Sequence, residues 1–245
     1  MSFLRRHLVL LVCALIGMGL LSGLGVWQLR RLAWKETVLA QISTRHDAAP
    51  SPLPVQKDWV NINPDDYDYR HVIFRGVFDH AKESFLFRAS ATGVTGDGPG
   101  FEIFTPLRLA DGGIVIVNRG FAPAELKEPA KRAAGQIAGE VTINGLMRRP
   151  ETRNSFTPAD EPNNNLWFTR DPAALAAHLG LHDVAPFSID ADATPNPGGW
   201  PKGAATVIKI PNNHLSYALT WFALAATLAA VTAVFIAKRE RTPRT

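Results

Sequence analysis

The stretch HLVLLVCALIGMGLLSGLGVWQL, residues 7–29, contains no Asp, Glu, Lys or Arg. At about 1.5 Å of rise per residue, roughly 20 apolar residues in a helix cross the ~30 Å of hydrocarbon in a bilayer. A second run, LSYALTWFALAATLAAVTAVFIA at residues 215–237, is equally free of charge. The two runs predict transmembrane helices at 8–29 and 214–237, with a long segment between them. The first run is too long for the apolar core of a cleaved signal peptide, and no small-x-small site follows it. Val12 is too large to precede Cys13 in a lipoprotein signal. The run therefore reads as a retained anchor.

Short basic tails orient the pair. Arg5 and Arg6 precede the first span, and Lys238, Arg239, Arg241 and Arg244 follow the second. The positive-inside rule then predicts that tails 1–7 and 238–245 are cytoplasmic, with 30–213 on the far side. Arg30, Arg31 and Lys35 argue the other way, but a long loop translocates largely regardless of charge. The net charge of +4 follows from this topology. Removing six Lys/Arg and one acid in the tails from totals of 26 and 22 leaves 20 basic and 21 acidic residues. The central segment is nearly neutral and has no nucleic-acid footprint. Cys13, the one cysteine, lies within the first span, so the central domain has neither a disulfide nor a thiol site.

After the first span, WQLRRLAWKETVLAQISTRH (27–46) keeps helical spacing, with Trp27 and Trp34 placed as interfacial anchors. AAPSPLPVQ (48–56) reads as a linker, because its prolines oppose both helix and internal strand. Strands are predicted at 69–79, 84–90, 101–109, 114–118, 139–147, 185–191 and 204–210, and a short helix at 171–180. Asp171, Pro172 and Gly180 supply the start and stop signals of that helix. Asp111-Gly112-Gly113 is the turn of a hairpin. The fold class is thus two transmembrane α-helices flanking an α+β domain, mainly antiparallel β and barrel-like.

Motifs for catalysis are scarce. GVTGDGPG (93–100) lacks the Lys-Ser/Thr pair and following helix of a phosphate loop, and reads as a hairpin loop. His178 and His182 have metal-ligand spacing with Asp183 nearby, but Gly180 ends the helix between them. DDYD (65–68) sits in a polar turn, no Gly-x-Ser-x-Gly elbow exists, and NRGFAP (118–123) reads as a rigid turn closing a strand. Arg119, coming after an apolar strand, could pair with a carboxylate. MRRPETRNSFTPADEP (147–162) reads as a solvated loop that could also bind a propionate or a partner protein.

The second span opens unusually, as PNNHLSYALTWFALA (211–225). On a helix His214, Tyr217, Ala218 and Trp221 share one face, and Asn212 and Asn213 can cap the start. One reading is a capped helix with an aromatic belt. The other is a porphyrin site: imidazole is a common haem ligand, Tyr217 and Trp221 provide a wall, and Ala218 and Ala225 leave space. Gly19-x-x-x-Gly23, with Gly17 and Gly25, would let a second helix or a flat cofactor approach the first span.

Four stretches resemble the surfeit locus protein 1 family of cytochrome c oxidase assembly factors. They are GVWQLRRLAWK (25–35), VNRGFAP (117–123), RRPETRNSFTP (148–158) and PNNHLSYALTWFALA (211–225). Their order and spacing match over nearly the whole chain, although Phe121 stands where the family carries tryptophan. The resemblance implies a non-enzymatic chaperone that binds haem a transiently and assists its insertion into oxidase subunit I. It implies that His214 is the haem-iron ligand; Tyr217 and Trp221 would then pack the ring, and Trp27 and Gln28, at the outer end of the first span, would face the same site. Expected partners are oxidase subunit I, haem a synthesis and delivery proteins, and membrane lipid, with no nucleic acid. A tail of about seven residues without a presequence points to a bacterial inner membrane, with both termini cytoplasmic and the central domain periplasmic. Two other readings stay open: a scaffold that stabilises the nascent oxidase subunit without binding haem, and a membrane-anchored periplasmic enzyme.

Overall fold

The computed structural model describes residues 3–89, 98–204 and 212–241. The strand expected at 204–210, apart from its first residue, and most of the glycine-rich loop at 93–100 lie outside these residues. Helix α1 runs unbroken over Phe3–Asp47, so the first span and the amphipathic 27–46 segment form one element. Helix α4 covers His214–Arg241, and Lys238, Arg239 and Arg241 in its last turn complement the negative end of the helix dipole. Both helices are long and apolar enough to cross a membrane. The chain divides into two compact units: α4 with α1 as far as Gln41, and the segment from Ile42 to Ile208.

The second unit is built on β1 (Ser51–Pro52), β2 (His71–Phe78), β3 (Ser84–Arg88), β4 (Gly100–Arg108), β5 (Ile114–Pro123), β6 (Glu140–Arg148), β7 (Leu166–Trp167) and β8 (Val184–Ala191). Their order is β1-β2-β6-β8-β5-β4-β3-β7, and a further β2–β4 pairing closes the middle five strands into a barrel. Closure is made by Val77 opposite Arg108 and Phe78 opposite Leu107. It removes two sheet edges that would otherwise carry unpaired backbone groups. The ladders are mainly antiparallel, with β1–β2, β3–β7 and β5–β8 parallel.

The apolar run Ile114–Val117 is buried on both faces of β5, which explains its lack of alternation. Val115 and Val117 join Val72, Leu107, Met147 and Phe187 in the barrel core. Trp59 and Tyr67 close on Phe187, with ring centroids 5.8 and 5.4 Å away. Ile116 faces the other way, with Leu86, Phe104, Trp167 and Leu175. Leu175 comes from α3 (Pro172–Leu179), whose first turn is capped by the Asp171 carboxylate accepting from the Ala173 and Ala174 amides. Gly180 ends this helix at φ +60°, as its position predicted.

Three local expectations change. NRGFAP is no turn: Asn118 to Pro123 continue β5 through a bulge, with Gly120 at φ +115°. A side chain at Gly120 would overlap the Lys202 carbonyl, because Phe121 and Lys202 exchange backbone hydrogen bonds of 2.9 Å beside it. Within 65–68, Asp65 to Tyr67 belong to a helical turn, α2 (Pro64–Tyr67), whose start is capped by Asn63 accepting from the Asp65 amide. Ser51-Pro52 inside the expected linker pairs with β2 as an edge strand, where a proline costs no ladder bond.

Candidate functional site

The two long helices pack antiparallel within their unit. His7 meets Glu240 at 2.9 Å, and Gln28 meets His214 at 2.7 Å at the opposite end. Between these contacts, side chains at Gly17 and Gly25 would fall 2.9 Å from Leu228 and 2.7 Å from the Phe222 ring. Covered positions on α1 include Gly17 and a series, Leu11, Ala14, Met18, Leu21, Gly25 and Gln28, that steps by three and four residues. On α4 the same rhythm runs through His214, Ala218, Trp221, Ala225, Leu228 and Thr232. This three-four rhythm is the spacing of a coiled-coil seam. The glycines at the seam are Gly17 and Gly25; Gly19 and Gly23 have open space where a side chain would stand. The Gly-x-x-x-Gly pair therefore faces away from α4.

His214 is the first residue of α4, and the carbonyl of Asn213 accepts the helix's Tyr217 amide at 3.1 Å. Asn213 thus takes the capping position through its backbone, while the buried Oδ1 of Asn212 has no partner among the described residues. The half-buried imidazole of His214 is held at Nδ1 by Gln28 Oε1, 186 residues away in the chain. At about 100° per residue, Trp221 lies about 20° and Tyr217 about 60° round the helix from His214. Trp221 is half-buried on the seam, Tyr217 is 56% exposed at its edge, and Trp27 is 53% exposed. Of the five residues expected at a cofactor, the structure brings His214 and Gln28 into direct contact. Tyr217 and Trp221 lie beside His214 on one helix, and Trp27 beside Gln28 on the other. An imidazole bonded through one nitrogen, bordered by exposed aromatic rings, fits the ligation of a flat apolar macrocycle. Farther along α1, the Arg31 guanidinium lies 4.4 Å above the Trp34 ring.

The barrel unit organises its charges differently. Asp190 on β8 accepts from Arg170 at 3.0 and 3.1 Å, from Arg148 at 2.9 Å and from Asn118 at 3.0 Å. Glu151 accepts from Arg170 at 2.8 Å and Arg88 at 3.1 Å. Burial opposes ionisation of Glu151, but the Arg88 and Arg170 charges outweigh it and hold the carboxyl below its usual range. Burial, helped by the Asp190 charge, keeps the Glu102 carboxyl raised despite Arg88 at 3.0 Å. A second cluster centres on Glu83, which pairs with Arg119 at 3.2 Å and with Arg132, and accepts from Gln136 at 3.0 Å.

These networks answer the question raised by the polar loop at 147–162. Arg148 is spent on Asp190, Asp68 and the Tyr69 hydroxyl, and Arg149 reaches Asp65 and Asp68. Arg153 pairs with Asp160 at 2.5 Å. All three are paired with carboxylates of the same unit. Two of the three DDYD carboxylates, Asp65 and Asp68, are thus arginine partners. His178 packs edge-on against Trp167, centroids 5.6 Å apart, and Gly180 ends the helix before His182. Among the described residues no group of three His, Cys, Asp or Glu is placed to hold a metal ion. A cavity of about 270 Å³ beside His46 and His71 is lined partly by Asn144 and Asp192, but each imidazole is already bonded, to Asp47 and to the Ala48 carbonyl. Sequence reasoning missed Glu83 and Asp190 as network centres. The only signal was an ionisable residue within or at the edge of an apolar strand.

Residues 15–226 match the profile of the SURF1 family, a span that takes in most of α1, the barrel and the first part of α4. The chain is 36% identical over 216 residues to Surfeit locus protein 1 of Homo sapiens, covering 83% of this chain and 70% of that protein. Surfeit locus protein 1 of Takifugu rubripes is 32% identical over 241 residues, covering 92% of this chain and 93% of its own. The Mus musculus protein of the same name is 34% identical over 236 residues, covering 92% of this chain and 73% of its own. The matched span includes the Gln28–His214 contact and the whole barrel, and on that footing the chain belongs to the SURF1 family.

Proposed function

We propose that this protein is a cytochrome c oxidase assembly factor that holds haem a transiently at His214 and assists its insertion into oxidase subunit I. The carrying observation is the His214 imidazole, tied to Gln28 by one nitrogen at a helix start beside exposed aromatic rings. When bound, haem offers an iron that accepts one imidazole lone pair and a macrocycle that buries against aromatic faces. Tyr217, Trp221 and Trp27 supply such faces. The chain spans a bacterial inner membrane twice, with both termini cytoplasmic and the barrel in the periplasm; the basic tails at Arg5–Arg6 and Lys238–Arg241 support this orientation. It is not an enzyme. Its work is to hold, present and release a cargo to subunit I and to receive it from haem a synthesis and delivery proteins.

The test is an optical spectrum of the full chain, purified in detergent after co-expression with haem a synthesis enzymes, beside His214→Ala. A reduced a-type band in the parent that is lost or shifted in His214→Ala supports the proposal. Equal bands in both remove His214 from the site, and no band in either, with haem a present, rejects haem handling. The scaffold reading keeps one observation of its own. Phe156, 94% exposed, tops a turn pinned by Asn154 Oδ1 on the Phe156 amide and by Thr157 on the Asn154 amide. A preorganised exposed aromatic is a suitable anchor for a protein partner. If this reading holds, Phe156→Ala impairs oxidase assembly while His214→Ala does not.

A further inference from the structure

We infer that Gln28 is a positioning residue that fixes the tautomer and strength of His214 as a ligand. The inference rests on the reading of His214 as the cargo ligand and gives Gln28 a role different from direct contact with the cargo. A neutral imidazole carries one N–H and one lone pair, and the partner of the first nitrogen decides which of the two carries the lone pair. Gln28 presents its carbonyl oxygen, which only accepts, 2.7 Å from Nδ1. Nδ1 therefore donates, and the lone pair sits on Nε2. Ligating histidines use this arrangement generally: the far ring nitrogen donates to an acceptor that fixes ring orientation and raises basicity.

The acceptor's chemistry adds a second consequence. A carboxylate would draw the Nδ1 proton strongly and make the ring a firm donor to iron. An amide carbonyl is neutral and draws it less. Gln28 therefore orients His214 fully but strengthens it only moderately, which suits a cargo that must be released. The geometry around the pair is stiff enough to matter. Gly25, one turn before Gln28, is buried against the Phe222 ring, and Ala218, one turn after His214, is fully buried at the seam. Close helix contact holds the two side chains at one level.

The cargo-free full chain in detergent, labelled with 15N-histidine, reports the tautomer directly, and the difference from His214→Ala assigns the signal. The expected parent spectrum has Nδ1 protonated and Nε2 bare. Gln28→Glu keeps that pattern, because a carboxylate also accepts. Gln28→Leu, close in size and a good helix former, shifts His214 toward the Nε2–H form that free histidine favours in water. A parent in the Nε2–H form, or a Gln28→Leu spectrum unchanged from the parent, overturns the inference. In haem-loaded protein the reduction potential should fall in Gln28→Glu and rise in Gln28→Leu, and haem transfer to apomyoglobin should slow in Gln28→Glu. Equal potentials and transfer rates in all three overturn the tuning role. Absence of haem from every variant defeats the haem reading alone, since the tautomer is read without cargo.

Discussion

Glu83→Gln should destabilise the barrel by an amount that depends on pH, and the structure sets both sign and size. Glu83 is 4% exposed and meets two buried arginines, Arg119 and Arg132, with His80 Nδ1 at 3.6 Å and Gln136 at 3.0 Å. Burial by itself would raise its pKa. The contacts from His80, Arg132 and Gln136 overcome that and lower it from 4.5 to about 2. At about 1.36 kcal/mol per pH unit, that lowering stabilises the fold by about 3 kcal/mol. This contribution is complete above the unfolded value near 4.5 and is lost as the pH falls toward 2. Glutamine keeps the shape but not the charge, leaving two buried guanidiniums without their counter-ion, a change that typically costs about 3–5 kcal/mol at neutral pH. Once protonated, the Glu83 carboxyl is as neutral as the amide that replaces it. The difference between parent and variant should therefore shrink by about 3 kcal/mol between about pH 5 and pH 2.

Urea unfolding of the full chain in detergent, followed by tryptophan fluorescence, measures this, because Trp59 is buried against the barrel core and Trp167 in the cluster on its other face. Other carboxylates titrate in the same range, so the quantity to read is parent minus variant. A constant difference across about pH 2–7 would refute the reasoning, as would a loss below about 1 kcal/mol at pH 7.

Gly120→Ala should prevent normal folding, costing at least about 3 kcal/mol, because the methyl would overlap the Lys202 carbonyl at a φ of +115°; near-UV circular dichroism checks it. Gly25→Leu should part the helices, since even a Cβ falls 2.7 Å from the Phe222 ring, whereas Gly23→Leu should not. Oxidative cross-linking between Gly17→Cys and Leu228→Cys, in a Cys13→Ser background, reads the difference. Phe187→Ala should lower barrel stability by about 3–5 kcal/mol, because Phe187 is fully buried against Trp59 and Tyr67; urea unfolding measures it.

The features readable from sequence are those set by neighbours along the chain. Both long helices announce themselves by uninterrupted apolar runs. Helix α3 does so by Asp171, Pro172 and Gly180, and the hairpin by Asp111-Gly112-Gly113, where the Asp111 carboxylate accepts from the Gly113 amide at 3.1 Å. Closure of the barrel depends on β2 meeting β4 across the intervening β3, and parallel pairing of β5 with β8 brings together strands separated by β6, β7 and α3. No local pattern encodes either. The Gly19–Gly23 spacing drew attention because it matches a packing motif, yet the glycines that face α4 are Gly17 and Gly25. At the candidate site, His214 stood out as a histidine at a span boundary. Gln28 was placed near it only because two spans of similar length, running antiparallel, bring one end of each to the same level.

NRGFAP misled for a reason that also explains its role. Asn, Gly and Pro are turn formers in isolation. In β5 each of the first three residues is held by a different part of the barrel. Asn118 donates to Asp190 on β8 while its Oδ1 accepts from the Gly120 amide at 3.0 Å. Arg119 reaches Glu83 beside β3. Gly120 lets the Lys202 backbone approach so that Phe121 can pair with it. Sliding β5 by one residue would exchange its two faces. Here it would also carry Arg119 away from Glu83 and leave buried charges unpaired, at a cost of about 3–5 kcal/mol. It would place a side chain where only Gly120 fits. An apolar strand buried on both faces has little in its hydrophobic pattern to choose one register over the next, so the polar triplet makes that choice.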